Sequence, residues 1–169
     1  MRLPITIDGE VLYAEIPDDE INKLVAKKNR KTGYERANLG SSYYAINDFR
    51  EIFEFDEENE PHDQSGYDVA NYYTDKTVAE NMARAQLLWN KIHRRAIELC
   101  SPAIINSEQL CYTITFNSRT GDVFPTGWSA ARAFGVVWFD TENHCRQVID
   151  EFRDELLWYF TEFRDRADI

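Results

Sequence analysis

Glycine, cysteine, histidine and methionine are all scarce in these 169 residues, at 7, 3, 3 and 2. Each shortage removes a class of chemistry. Gly33, Gly40 and Gly66 stand alone, so no glycine-rich loop is present to cradle a phosphate. Cys100, Cys111 and Cys145 are odd in number and far apart, with no Cys-x-x-Cys pair. That pattern argues for a reducing compartment, without structural disulfides or a zinc site. His62, His93 and His144 are scattered, and no serine or cysteine is tied to them by a nucleophile-elbow or similar local motif. No apolar run approaches a membrane span. Met1-Arg2-Leu3-Pro4 leads straight into strand-like sequence, without the apolar centre of a signal peptide. These absences predict a cytoplasmic protein with no catalytic motif, no metal and no cofactor.

Basic residues are also outnumbered, 19 against 30 acids, for a net charge of −11. Binding nucleic acid by phosphate neutralisation needs clustered Lys and Arg, so the balance argues against it. A basic protein surface is the more natural partner. What the chain has in quantity is apolar surface: 43% hydrophobic and 14% aromatic residues. That is a folded globule's composition, with many of the rings inside.

Periodicity predicts an α+β fold. Residues Ile5–Tyr13 alternate around Asp8-Gly9, a hairpin signal. Pro17-Asp18-Asp19-Glu20 reads as a helix start, with Ile21, Leu24 and Val25 as its apolar face. Lys27–Gly40 reads as a basic linker, part of a stretch (Lys23, Lys27, Lys28, Arg30, Lys31, Arg36) with Glu35 its one acid. Two copies of a strand–strand–strand–helix unit follow. In the first, strands around Tyr43–Ile46 and Ile52–Phe55 are joined through Asn47-Asp48-Phe49-Arg50. A loop at Asp56–Gly66, a strand at Val69–Tyr73 and a helix over Lys76–Leu99 complete it. That helix has a Thr77/Glu80 capping box, a stripe of Val78, Met82, Ala85, Trp89, Ile92, Ala96 and Leu99, and Pro102 to end it.

In the second copy, strands at Cys111–Phe116 and Val123-Phe124 are followed by a loop carrying Pro125, Gly127 and Trp128. Then come a strand at Phe134–Phe139, a cap at Asp140 or Thr141, and a helix with Cys145, Val148, Ile149, Phe152, Leu156, Tyr159, Phe160 and Phe163 on one stripe. Setting Tyr73 against Phe139 aligns the two halves. The expected organisation is residues 1–40 as hairpin, short helix and linker, then meander-plus-helix (βββα) units at 41–101 and 102–169, in one compact globule. The run Leu156-Leu157-Trp158-Tyr159-Phe160 is apolar on nearly all sides and must be covered, by the other half or by a homodimer partner.

The sharpest compositional feature is Glu51–Asp68, which holds eight acids and no Lys or Arg. Glu54, Asp56, Glu57, Glu58, Glu60 and Asp63 would form an acidic surface fitted to a partner's phosphate-binding groove, unless the loop is only solvated. Asp56-Glu57-Glu58 could supply oxygens to a cation, but EF-hand spacing is missing. Trp128, one large ring in a loop of small residues, is a candidate interface anchor, or else a plug on its own core.

The stretches YDVANYYTDKTVAENMARAQLL and FGVVWFDTENHCRQVIDEFRDELLWYFTEF resemble small accessory proteins of phages and prophages of Gram-positive bacteria. Those pair a Tyr/Asn-rich strand entering Thr-Asp-x-Thr-x-Ala-Glu with a C-terminal Asp-Glu-Leu-x-Trp-Tyr-Phe-Thr-Glu helix, matched here at Asn71–Asn81 and Asp154–Glu162. Some small acidic proteins of that setting are anti-CRISPR inhibitors of Cas9-type effectors. The resemblance therefore implies a non-enzymatic inhibitor whose acids block guide or target binding in the effector's basic channel. It implies no active-site residues. Two alternatives stand beside it. One is a nucleic-acid-binding or RNA-processing protein, gripping RNA or DNA with Lys23–Arg36, Lys91, Arg94 and Arg95 and stacking bases on Tyr43, Tyr44, Tyr72 or Tyr73. The other is a phage structural or assembly component.

Overall fold

The computed structural model describes residues 2–7, 10–15, 17–20, 23, 31–101, 110–129 and 135–168. The expectations for Asp8-Gly9, Ile21, Leu24, Val25, Lys27, Lys28, Arg30, Pro102 and residues 130–134 lie outside them. The fold is α+β. Its strands are β1 (Arg2–Ile7), β2 (Glu10–Glu15), β3 (Ser42–Ile46), β4 (Ile52–Asp56), β5 (Cys111–Asn117) and β6 (Asp122–Trp128). They pair in three separate antiparallel two-stranded sheets, each strand with its neighbour in sequence. The helices with described bounds are α1 (Pro61–Asp68), α2 (Lys76–Leu99), α3 (Glu142–Glu151) and α4 (Arg153–Thr161), and residues 18–20 are also helical, as the start at Pro17 predicts.

The third strand expected in each unit is reduced to one isolated bridge, Tyr44 to Tyr73 in the first half and Tyr112 to Phe139 in the second. Both bridges are reciprocal. Tyr44 and Tyr73 exchange hydrogen bonds of 2.7 and 2.9 Å, and Tyr112 and Phe139 exchange two of 2.8 Å. In each half a helix cap follows two residues later. Asp75 accepts from the Val78 N–H, and Thr141 accepts from the His144 N–H. The chain turns too soon after the bridge to extend a ladder, and side chains hold what remains. The Asn71 amide accepts from the Ile46 N–H at 2.9 Å and donates to the Ile46 carbonyl at 2.8 Å. At the matching place in the second half, the Thr113 hydroxyl donates to the Val137 carbonyl at 3.1 Å.

Helix α2 is the spine shared by both halves. Val78, Ala79 and Ala83 pack with Ile46 and Tyr73 in one core. Leu88, Ile92 and Ala96 pack with Val123, Phe139, Cys145, Val148, Ile149 and Leu156 in another. The stripe therefore runs through Leu88 rather than Trp89, whose ring is exposed and donates its indole N–H to the Gly135 carbonyl. The second-half helix is continuous in sequence but breaks at Phe152 (φ −114, ψ 25), dividing α3 from α4. Past the break Trp158, off the expected stripe, is buried, while Tyr159 is exposed. The Arg84 guanidinium lies 3.8 Å over the Trp158 ring, a cation–π cover supplied by α2. Phe160 stacks on Phe116 at 5.1 Å. Much of the apolar ladder is thus covered from within the chain.

The segment expected as a basic linker is, over 32–37, a strap laid across the first core. Gly33 sits at φ +94, and a Cβ there would come within 3.1 Å of Val78 and 3.3 Å of Asp75. Only glycine combines that backbone with that approach. The Gly33 carbonyl accepts from Thr74, and the Thr32 carbonyl accepts from Ala167 near the C-terminus.

Candidate functional site

The acidic stretch is not a loop. Pro61 occupies the first turn of α1, and the Asp63 carboxylate accepts from the Glu60 N–H at 2.9 Å, a helix start hidden in a loop-like composition. Asp63 is fully buried, and it also accepts from the Glu58 N–H and the Tyr43 hydroxyl. Glu57 is buried too, held by Arg36 through Nε at 2.9 Å and Nη2 at 2.7 Å, and by the Tyr72 hydroxyl at 2.5 Å. The Tyr43 and Tyr72 rings stack face to face, centroids 4.0 Å apart, between these two carboxylates. Two of the six acids expected on a docking surface are therefore internal, and they build the frame of the hairpin.

That frame sets the ionisation of its members. The Arg36 guanidinium holds Glu57 below the ordinary carboxylate range against the cost of burial. Burial works against the Asp63 charge, but hydrogen bonds from the Glu60 and Glu58 N–H groups and from Tyr43 outweigh it and hold its pKa down. In the strap, burial of Glu35 is likewise outweighed by hydrogen bonds, chiefly from Thr32, which bring it to about 2. Burial, with the Glu57 bond added, pushes the Tyr72 phenol up to about 12.

All three carboxylates bind protons more weakly folded than unfolded. Their stabilisation is complete above the unfolded values of 4.5 and 3.8 and is lost as pH falls through the folded ones. The urea midpoint should therefore be lower at about pH 3 than at about pH 5. Glu35→Gln should shrink that difference, and equal midpoints for the wild-type chain would contradict the assignment.

The remaining acids stand outside. Glu54, Asp56, Glu58 and Glu60 are exposed on or just after β4, with Glu51 at its start. Phe53 and Phe55 on the same strand are also exposed, as is Phe49 at the tip of the β3–β4 turn. Strand β4 pairs only with β3, so among the described residues its other edge is open. Trp128 is half exposed at the end of β6, on the other half's hairpin and not on the acidic one.

The structure withdraws three of the four tyrosines named for stacking on bases, and two of the arginines named for gripping phosphate are already paired. Tyr43, Tyr72 and Tyr73 are buried and cannot stack on a base, and Tyr44 is partly buried. Arg36 is committed to Glu57, and Arg95 is paired with Glu151 and Glu98. Of the other described residues of that set, Lys23 lies 3.6 Å from Asp19, Lys91 is partly buried, and Lys31 and Arg94 are exposed.

Two further features were not foreseen. An open, mainly apolar cleft of about 550 Å³ lies between α2 and α4, lined by Met82, Trp89, Val137, Leu156 and Phe160 among others. Elsewhere Asp140 joins near and distant residues: its Oδ1 is 2.6 Å from Nδ1 of His144, four residues on, and its other oxygen accepts from the Ser101 N–H at 2.9 Å. The Cys100 thiol hydrogen-bonds to the same Asp140. This is not a nucleophilic triad, in which the imidazole stands between acid and nucleophile. Here the carboxylate stands between, and burial pushes the thiol up to about 11, leaving it protonated and unreactive at neutral pH.

No family model matches the chain, and no curated protein and no solved structure matches it significantly.

Proposed function

We propose that this protein is a non-enzymatic binding protein that docks its acidic β3–β4 hairpin into a cationic groove of a nucleic-acid-handling partner. The observation that carries the reading is the make-up of β4 and the turn after it. Exposed carboxylates (Glu54, Asp56, Glu58, Glu60) alternate with exposed rings (Phe53, Phe55) on a strand with an open edge. A partner groove evolved for phosphates offers Arg and Lys to the acids, and aromatic side chains anchor interfaces well. The buried Tyr43–Tyr72 frame keeps the hairpin from rearranging, which lowers the ordering cost of binding. A Cas9-type effector, whose channel holds a heteroduplex by positive charge, is the first partner to try. Blocking guide or target entry is the expected effect.

The test is capture of purified effectors, apo and guide-loaded, by the tagged protein at low and moderate salt. The wild-type chain should capture one form with strong salt dependence. The combined variant Glu54→Gln, Asp56→Asn, Glu58→Gln, Glu60→Gln should keep its fold and weaken capture by about tenfold or more. All four residues are exposed, and Glu58 and Glu60 reach Asp63 through backbone N–H groups that the substitutions keep. Undiminished capture by that variant would end the reading. Binding of single-stranded DNA or RNA by the free protein, with no effector captured, would favour the nucleic-acid alternative.

A further inference from the structure

Cys100, Asp140 and His144 come from the two ends of a gap of forty residues in sequence, and the fold closes them on one point. Cys100 is the C-cap of α2, Asp140 precedes the Thr141 cap of α3, and His144 lies in that helix's first turn. One donor atom from each, sulfur, oxygen and nitrogen, lies within 4.8 Å of the other two. Among the described residues no other set of three such side chains converges in this way.

We propose that Cys100, Asp140 and His144 form a binding site for a divalent transition-metal ion, with zinc the best fit. The donor set decides the class of ion. One thiolate and one imidazole beside a single carboxylate suit a borderline ion such as Zn²⁺, whereas Mg²⁺ and Ca²⁺ prefer oxygen. Donors about 2.0–2.3 Å from a shared tetrahedral ion stand about 3.3–3.7 Å apart, so a small opening of the 2.6 Å His144–Asp140 contact admits it. Asp140 is already oriented as a ligand needs to be, because the Ser101 N–H holds its second oxygen and the first points at His144 Nδ1, where an ion would come between them. The positive end of α3 favours the ionised carboxylate and thiolate.

Access is also provided. All three residues are partly exposed, unlike Cys111 and Cys145, which are sealed in the core. Three protein donors leave a fourth position that solvent can fill, the arrangement of an open zinc site. Binding displaces the thiol proton, and the imidazole coordinates in its neutral form, so affinity should rise with pH. The bound ion would tie the end of α2 to the start of α3.

The experiment titrates the metal-free 169-residue chain with Co²⁺ as a spectroscopic probe, then with Zn²⁺ in competition. One equivalent of Co²⁺ should produce an intense thiolate-to-cobalt charge-transfer absorption that Zn²⁺ abolishes, and Zn²⁺ alone should raise Tm. Cys100→Ser should remove the absorption, and His144→Gln should weaken Zn²⁺ about tenfold or more. His62→Ala, beside the acidic hairpin, should change neither. The wild-type spectrum carries the test even if a variant folds poorly. Saturating Co²⁺ with no charge-transfer band would overturn the site, and so would binding lost in His62→Ala but kept in Cys100→Ser.

Discussion

Glu57→Ala should lower the stability of the whole chain by about 3 kcal/mol, because it leaves a partly buried cation and a buried hydroxyl without their acceptor. At about 2–4 °C per kcal/mol for a chain of this size, Tm should fall by roughly 6–12 °C. The carboxylate takes two hydrogen bonds from Arg36, one from the Tyr72 hydroxyl and one from the Asn59 N–H. Its loss strands all of them at once. It also loosens the strap, since Arg36 belongs to the strap and the Ala37 N–H bonds the Tyr72 hydroxyl at 3.1 Å. Glu57→Gln should be milder, because an amide still accepts, though it cannot neutralise Arg36. Glu54→Gln, three residues away and exposed, is the control and should leave Tm unchanged. A Glu57→Ala chain as stable as the Glu54→Gln chain would show that the frame does not hold the hairpin. Because Glu57→Ala leaves the exposed acids in place, it should also separate rigidity from charge: capture of a cationic partner should weaken without losing its salt dependence.

Much of the architecture was legible in the sequence because it rests on local periodicity. The positions of β3 and β4, the long helix α2 and the start of α3 follow from alternation, from 3.6-residue stripes and from polar corners at Thr74-Asp75 and Asp140-Thr141. The third strands were not legible as single bridges, since Val69–Tyr73 has strand-like composition, while the end of α1 at Val69 and the turn at Ala70 (φ 57) shorten it on one side and the Asp75 cap on the other. Helix α1 was obscured for the opposite reason. Proline, serine and glycine suggested a loop, while the decisive signal was Asp63 three residues after Glu60, positioned to bond back to its N–H.

The candidate sites divide in the same way. Acidity is a property of composition, so the hairpin could be found, but burial is not, so Glu57 and Asp63 looked no different from Glu54 and Asp56. The cluster of Cys100, Asp140 and His144 joins residues forty apart, and its one local trace is the four-residue spacing of Asp140 and His144 at a helix start. Long-range convergence of this kind is set by how α2 packs on α3, which no window of sequence contains.

That packing is what the second large effect probes. Phe139→Ala should cost about 3–5 kcal/mol, the range for emptying a buried aromatic position. Phe139 is fully buried in the second core, and its backbone forms the β-bridge that ties Tyr112 of β5 to the residues before α3. The cavity opens against α2, which also serves the first core through Val78, Ala79 and Ala83. A defect in one half should therefore weaken both. The chain offers separate reporters: all four tryptophans fall between Trp89 and Trp158, and six of the nine tyrosines between Tyr34 and Tyr73. In a urea titration of Phe139→Ala, tryptophan fluorescence and near-ultraviolet tyrosine dichroism should shift together to a single lower midpoint. If the tryptophan signal moved and the tyrosine signal stayed at its wild-type midpoint, the halves would be independent units and α2 no spine. Coincident curves would mean that the acidic hairpin borrows its rigidity from a core further along the same helix, so a substitution remote from every exposed acid could still impair docking.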